Sequence, residues 1–323
     1  MYAYETTFST GLPGLDKALK GILPGDNIVW QVDAIDDYQA LVSPFVQAGV
    51  ASGRRMVYFR FASHQPLIPD EGSVTKVELD PNAGFETFIA LIHQTIERVG
   101  RGALYVFDCL SELAADWYSD QMLGNFFMLT CPYLFDLETV AYFALFRNYH
   151  SSRALQPIFE TTQLFLDVYR YRETRYIYPM KVHLRYSPTM NMLHEWKGEE
   201  FRPVTASALI SSILTSVNWS GLDSDIRPGI WERAFAEGED VLDEVKRGRC
   251  SPEREEEMFR RLSRMMVSRD PGMLKLLYRY MGLEDVLEIR RRMIGSGLVG
   301  GKTVGMLLAR RILDSGLETL IVS

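Results

Sequence analysis

Ile28-Val-Trp-Gln-Val-Asp-Ala-Ile-Asp-Asp-Tyr38 is the stretch on which the reading of this chain turns. Asn27 to Val32 reads as a short buried strand, and Tyr38 to Ala51 as the helix that follows it. Two turn-rich segments come first, Thr10-Gly-Leu-Pro-Gly-Leu-Asp16 and Gly21-Ile-Leu-Pro-Gly-Asp26. A strand running through a tight loop into a helix is the setting of phosphate-cradling loops, whose pattern is G-x-x-x-x-G-K-[ST]. Laid on Gln31 to Tyr38, that pattern meets Gln31, Asp36, Asp37 and Tyr38 at its four defining positions. Glycines let backbone N–H groups close on phosphate oxygens, the lysine neutralises them, and the small hydroxyl holds Mg²⁺. Here bulk replaces glycine and a carboxylate replaces the ammonium; Asp33, Asp36 and Asp37 repel a triphosphate. The expectation is a phosphate-loop scaffold that has lost its phosphate.

Outward from that stretch, strands and helices alternate. Met56 to Phe61 and Val74 to Leu79 read as strands, and Phe85 to Val99 has helical spacing at Phe85, Phe88, Ile89, Ile92, Ile96 and Val99. Ala103 to Asp108 is a buried strand ending in a carboxylate. Met122 to Leu137 is expected to be a helix that Pro132 kinks or divides. Val140 to Phe146 is another buried strand, followed by an expected helix around Ile158 to Val168. Tyr176 to Leu184 and Met190 to Trp196, separated by Ser187-Pro188, look like a hairpin closing the sheet. Strands apolar on both faces, alternating with helices, predict an α/β fold: a mostly parallel sheet sandwiched by helices.

Composition sets the outer bounds. At 323 residues the prior is two units, and 47% hydrophobic residues suffice for a large core. A net charge of −7 gives no overall attraction to nucleic acid or anionic membrane. Cys109, Cys131 and Cys250 are isolated and odd in number, without a zinc spacing, which suggests a reducing compartment. No basic n-region precedes an apolar run, and apolar stretches such as Val140 to Phe146 are too short to span a bilayer. The expected compartment is cytoplasmic, with no membrane partner and nucleic acid disfavoured.

Thr10-Gly-Leu-Pro-Gly-Leu-Asp16 followed by Gly21-Ile-Leu-Pro-Gly-Asp26 resembles the entry to RecA-like ATPases of the KaiC and RadA type, where a T-G-x-x-x-L-D turn precedes the first strand and a Walker A loop. The resemblance runs over roughly residues 5 to 204, through the Tyr58 and Asp108 strands to the Lys181 hairpin, by order of elements more than identity. Its departures carry the functional expectation. The family's lysine and hydroxyl positions hold Asp37 and Tyr38, and its water-polarising glutamate pair falls on Ala62 and Ser63; only Asp108, at the Walker B position, is in place. Phosphoryl transfer needs charge neutralisation and a positioned water. The resemblance therefore implies a pseudo-ATPase with a degenerate Walker A loop.

Other candidates weigh against duller roles. Asp108 could hold Mg²⁺ through water, although a strand-terminal carboxylate also caps turns, and that role is favoured. Lys181 and Arg185 sit where the resembled family reaches a neighbouring subunit's nucleotide; with no nucleotide, a solvated hairpin face is expected. His150 reads as a hydrogen-bonded structural residue, and the five histidines show no metal spacing. Tyr169 to Tyr178 interleaves tyrosines with Arg170, Arg172 and Arg175, which could stack on single-stranded nucleic acid but reads better as a helix-to-strand connection.

Composition shifts near Pro203. Helices are expected over Val204 to Val217, Pro228 to Lys246, from Ser251-Pro252, from Asp270-Pro271, and over Leu283 to Met293, with Asn218 to Arg227 a polar linker. Glycines 295, 297, 300, 301 and 305 then surround Lys302, leading into an expected helix at Thr303 to Asp314. Gly300-Gly-Lys-Thr-Val-Gly-Met306 resembles the G-G-K-[AGNT]-x-x-L opening of the PEP/pyruvate-binding, ATP-grasp-like domain of phosphoenolpyruvate synthase and pyruvate phosphate dikinase. That resemblance covers about thirty residues and implies phosphate contact by Lys302, with Met306 in place of leucine. A glycine-rich turn capping two helices is the alternative.

These readings divide the chain into 1–204, a RecA/KaiC-like pseudo-ATPase domain; 205–292, a helical linker region; and 293–323, the start of a PEP/pyruvate-binding module. The function expected is a non-catalytic regulatory or assembly domain at the N-terminus of a phosphotransferase, with no catalytic or metal residue. Gly300, Gly301, Lys302 and Asp108 are the residues with a claim on nucleotide, and ATP with Mg²⁺ is expected only with further C-terminal chain. The alternatives are a phosphotransferase binding ATP through the Lys302 loop and an oligomerising interaction module.

Overall fold

The computed structural model describes residues 8–69, 72–117, 119–216, 230–294 and 297–321, leaving aside the side chains of Ala115 and of residues 314–321. Asn218 to Arg227, Val217, Pro228, Gly295 and Ser296 lie outside the described residues. The chain is α/β and forms two compact units, Met1–Arg227 and Pro228–Ser323.

The first unit carries a nine-stranded sheet among its described residues. In chain order its elements are α1 (Pro13–Leu19), β1 (Asn27–Val32), α2 (Ile35–Ala51), β2 (Met56–Arg60), β3 (Thr75–Glu78), α3 (Phe85–Val99), β4 (Leu104–Cys109), α4 (Leu110–Asp116) and α5 (Gln121–Asp136). Then come β5 (Val140–Phe146), α6 (Ser152–Thr161), β6 (Leu164–Tyr171), β7 (Thr174–Val182), β8 (His194–Lys197), β9 (Glu200–Pro203) and α7 (Ser207–Ser216). The spatial order is β3-β2-β4-β5-β1-β6-β7-β8-β9. The strands from β3 to β6 are parallel, and β6 through β9 pair antiparallel.

Side-chain alternation assigns the two faces. On β5, Tyr142 stacks on Phe45 of α2 at 3.9 Å, while its neighbour Phe143 meets Phe127 of α5 at 5.0 Å. Helix α2 therefore covers one face and α5 the other. On the α5 face, Phe59, Phe107 and Phe143 form an aromatic row across β2, β4 and β5, with centroids 4.7 and 4.6 Å apart. Such offset rings add attraction beyond the area they bury. The α2 face joins Ile28, Trp30 and Val32 to Leu41, Val42 and Phe45, all buried.

Three expectations change. Pro132 lies within α5 without dividing it, because Phe126, Phe127 and Leu134 hold the helix to the core on both sides of the missing bond. The helix expected at Ile158 to Val168 is half strand: α6 is capped by the Ser151 side chain and ends at Thr161, and β6 begins at Leu164. Leu164 to Tyr169 is buried on both faces, so no period-2 pattern marks it as strand. The helix-to-strand connection at Tyr169 to Tyr178 is instead the β6–β7 hairpin, turned by Arg172 and Glu173 at φ 49° and 63°. Two consecutive left-handed residues match the strand twist as a two-residue hairpin loop requires.

The second unit is helical: α8 (Ile230–Lys246), α9 (Pro252–Met266), α10 (Pro271–Tyr280), α11 (Leu283–Arg292) and α12 (Gly301–Ile321). Ser251 and Asp270 cap α9 and α10 by accepting the amides of Arg254 and Met273. Ala234, Val241, Leu262, Met266, Leu277 and Val286 supply its core. No described helix is long and apolar enough to cross a membrane.

Candidate functional site at the carboxyl ends of the parallel strands

In open α/β sheets the ligand crevice lies beyond the carboxyl ends of the strands, where neighbouring strands send their connections to opposite faces. Here those neighbours are β1, which leads into α2, and β5, which leads into α6 on the side of α5. The residues at this place are Asp33, Asp36, Asp37 and Tyr38 after β1, Arg147 after β5, and Asp108 on β4.

Asp37 stands in the first turn of α2 and is 2% exposed. Its Oδ1 accepts from Arg170 Nη2 at 2.5 Å, Arg170 Nε at 3.1 Å and Arg175 Nε at 2.8 Å. Arg170 and Arg175 are register partners across the β6–β7 hairpin, so one hairpin presents both guanidinium groups to one carboxylate. The hydrogen bond to Asp37 raises the Arg170 pKa. Tyr38 is turned inward, its hydroxyl donating to the Phe107 carbonyl at 3.0 Å. Burial pushes that phenol well above its ordinary pKa. It offers no oxygen to a metal in the crevice.

Arg147 bridges the end of β1 and β6. Its Nε donates to Asp33 Oδ1 at 2.9 Å and its Nη2 to the Val168 carbonyl at 2.7 Å. Its Nη1 lies 3.1 Å from Asp167 Oδ2, and its guanidinium stacks 4.1 Å over the Tyr169 ring. Burial disfavours the Arg147 charge, but the Asp167 and Asp33 carboxylates outweigh it and the pKa is raised. Asp36 remains exposed.

Asp108 is fully buried. It accepts from Arg60 Nη1 at 2.6 Å, from the Phe61 and Ala62 amides at 2.8 and 2.9 Å, and from the Tyr58 hydroxyl. Burial, then the Asp108 charge, raises the Tyr58 pKa. These donors leave the carboxylate committed to tying β4 to the end of β2. Nearby, Glu112 Oε2 accepts both the amide and the hydroxyl of Ser63 at 2.7 Å.

The two basic hairpin residues are not on a solvated face. Arg185, its side chain 6% exposed, donates to both oxygens of Asp26 at 2.6 and 2.8 Å and to the Gly21 carbonyl at 2.5 Å. Lys181 caps the carbonyls of Phe159 and Glu160 at 2.6 and 3.0 Å. His150 Nε2 lies 2.7 Å from Ser111 Oγ, inside the fold.

Asp108 belongs to the first unit and Lys302 to the second. The helix expected from Thr303 begins at Gly301, so Lys302 is an exposed residue of the first turn of α12 rather than part of a loop. The Gly300 carbonyl accepts the Val304 amide at 3.1 Å. A side chain at Gly300 or Gly301 would meet nothing within 4 Å. Packing in this unit therefore does not require glycine there. Among the described residues no group of three or more His, Cys, Asp or Glu side chains is placed to hold a metal ion.

No protein-family model matches the chain, and a search of curated proteins returns no match. The partners Arg147, Arg170 and Arg175 are invisible to motif reading, since the last two sit 133 and 138 residues from Asp37. Their one sequence signal is the pair of arginines equally spaced about Arg172-Glu173, which a hairpin brings together.

Proposed function

We propose that the first unit is a RecA-like pseudo-ATPase domain, non-catalytic, with a regulatory or assembly role beside a phosphotransferase of the phosphoenolpyruvate synthase and pyruvate phosphate dikinase kind. The observation that carries this reading is the capture of Asp37 by Arg170 and Arg175, both within 3.1 Å. A phosphate-binding loop needs free amides and a cation pointing outward. Here an anion sits at the cation's position, and arginines from the neighbouring hairpin already neutralise it.

Asp108 supports the same reading, because four protein donors already engage its two oxygens. The residues present therefore do not fit Mg·ATP. The link to a phosphotransferase rests on Gly300-Gly-Lys-Thr-Val-Gly-Met306 alone.

Calorimetric titration of the chain with Mg·ATP tests the proposal. No saturable heat is the expected result. Micromolar binding abolished by Lys302→Ala would replace it with the phosphotransferase reading, and micromolar binding that survives that substitution would place nucleotide in the first unit and overturn it.

A further inference from the structure

A cavity of about 400 Å³ opens between α6 and the sheet, on the α5 side of β1 and β6. Gln31 and Asp167 project from neighbouring strands into it, and Leu155, Phe159, Phe165 and Met180 form its apolar wall. Its size, and polar groups facing an apolar wall, are those of small-molecule sites.

Asp167 is the feature the fold does not explain. It is 4% exposed, and its Oδ2 is met by Arg147 at 3.1 Å and by the Tyr169 hydroxyl at 3.0 Å. Its Oδ1 has no hydrogen-bond partner among the described residues. A buried carboxylate oxygen left without a donor is costly, so a donor supplied by a ligand is favoured there. Charge decides what kind of donor. Of the charged residues lining the cavity, Asp167 and Glu160 are acidic and Arg147 is basic, leaving an excess of negative charge.

We infer that this cavity binds a small organic amine, its ammonium on Asp167 Oδ1 and the Gln31 side chain and its apolar body against Phe159, Leu155 and Met180. An ammonium meets the vacant acceptor with a charge-assisted bond. An anion meets net repulsion, and a neutral analogue forfeits the charge term. Phe159 and Phe165, 5.4 Å apart, give an aromatic body a surface to pack on. The site is separate from the Asp37 and Asp108 clusters and stands whether or not the first unit is a pseudo-ATPase.

The test uses the whole chain and three probes of one shape: benzylamine, benzyl alcohol and benzoate, titrated by ligand-observed and protein-observed NMR. Benzylamine is expected to bind at least about tenfold more tightly than either of the others, a difference of roughly 1.4 kcal/mol. Asp167→Asn should erase that preference. Because it also takes a partner from Arg147, Leu155→Trp serves as the second variant; it fills the cavity from a half-exposed helix position without touching the ion pair. It should abolish benzylamine binding while the melting curve is retained. Equal affinity for amine and alcohol, no shift with benzylamine at about 10 mM, or binding that survives Leu155→Trp would each overturn the inference.

Discussion

Arg175 Nε lies 2.8 Å from Asp37 Oδ1, and the same oxygen receives Arg170 across the hairpin at 2.5 Å. The carboxylate is 3% exposed, whereas the Arg170 and Arg175 side chains are 40% and 33% exposed. The arginines can therefore reach water if the carboxylate is removed. Asp37→Ala is expected to cost about 1–3 kcal/mol, mostly lost charge-assisted hydrogen bonds. Arg175→Ala should cost less than about 1 kcal/mol, since Arg170 keeps its own two bonds. The midpoints of urea unfolding order the two.

Asp108 makes the opposite case, because its donors are two backbone amides, the buried Tyr58 and Arg60, whose side chain is only 13% exposed. Asp108→Ala is expected to cost about 3–5 kcal/mol, leaving the Arg60 charge without its carboxylate and two amides unpaired. A structural Asp108 also predicts that millimolar Mg²⁺ shifts the melting temperature of the unsubstituted chain by less than about 1 °C. A larger rise, lost in Asp108→Asn, would make Asp108 a metal ligand.

Gly11 ties the entry turn to α2. Its φ is +76°, and a Cβ there would lie 2.0 Å from the Pro44 carbonyl oxygen. Asp16 fixes that turn by accepting the Thr10 amide at 3.0 Å and the Thr10 hydroxyl at 2.7 Å. Gly11→Ala adds a left-handed strain and a backbone overlap, together about 2–4 kcal/mol, and Gly53→Ala, with φ +68° but open space, should cost only about 1 kcal/mol. Chemical denaturation of the two variants separates strain from overlap.

Histidine burial sets a pH dependence. His93 and His194 both have their pKa lowered by burial. A basic group with a lowered folded pKa is protonated more readily in the unfolded chain, so stability rises with pH. The contribution is fully present above the ordinary histidine value near 6.5 and is lost as pH falls through it toward the lower folded values. Melting temperature is expected to fall between pH 8 and about 5.5, and His194→Gln should flatten part of that fall. An unchanged slope in His194→Gln would remove His194 from the account.

The sequence announces its strands where burial and turn chemistry agree. Asn27 to Val32 lies between a glycine turn and an acidic helix start, and its bounds in the sheet are those read from the chain. The Leu164 strand was not legible, because residues buried on both faces carry no period and the adjoining Ile158 segment is truly helical. The short strand Glu200–Pro203 gave no signal at all, being four mostly exposed residues paired only to β8. At the crevice, the carboxylate at position 37 and the phenol at position 38 are plain in the sequence. What they do instead is not, since Arg170, Arg175 and Phe107 reach them only through the folded sheet.

The hairpin clasp on Asp37 also sets what that position can become. Asp37→Lys would put three cations within a few ångströms of one another, since Arg170 and Arg175 both reach Asp37 Oδ1. A cation at the start of α2 therefore requires both arginines to change with it, and losing either one first weakens the clasp that joins α2 to the β6–β7 hairpin. Substitution at any one of the three positions is thus tied to the other two.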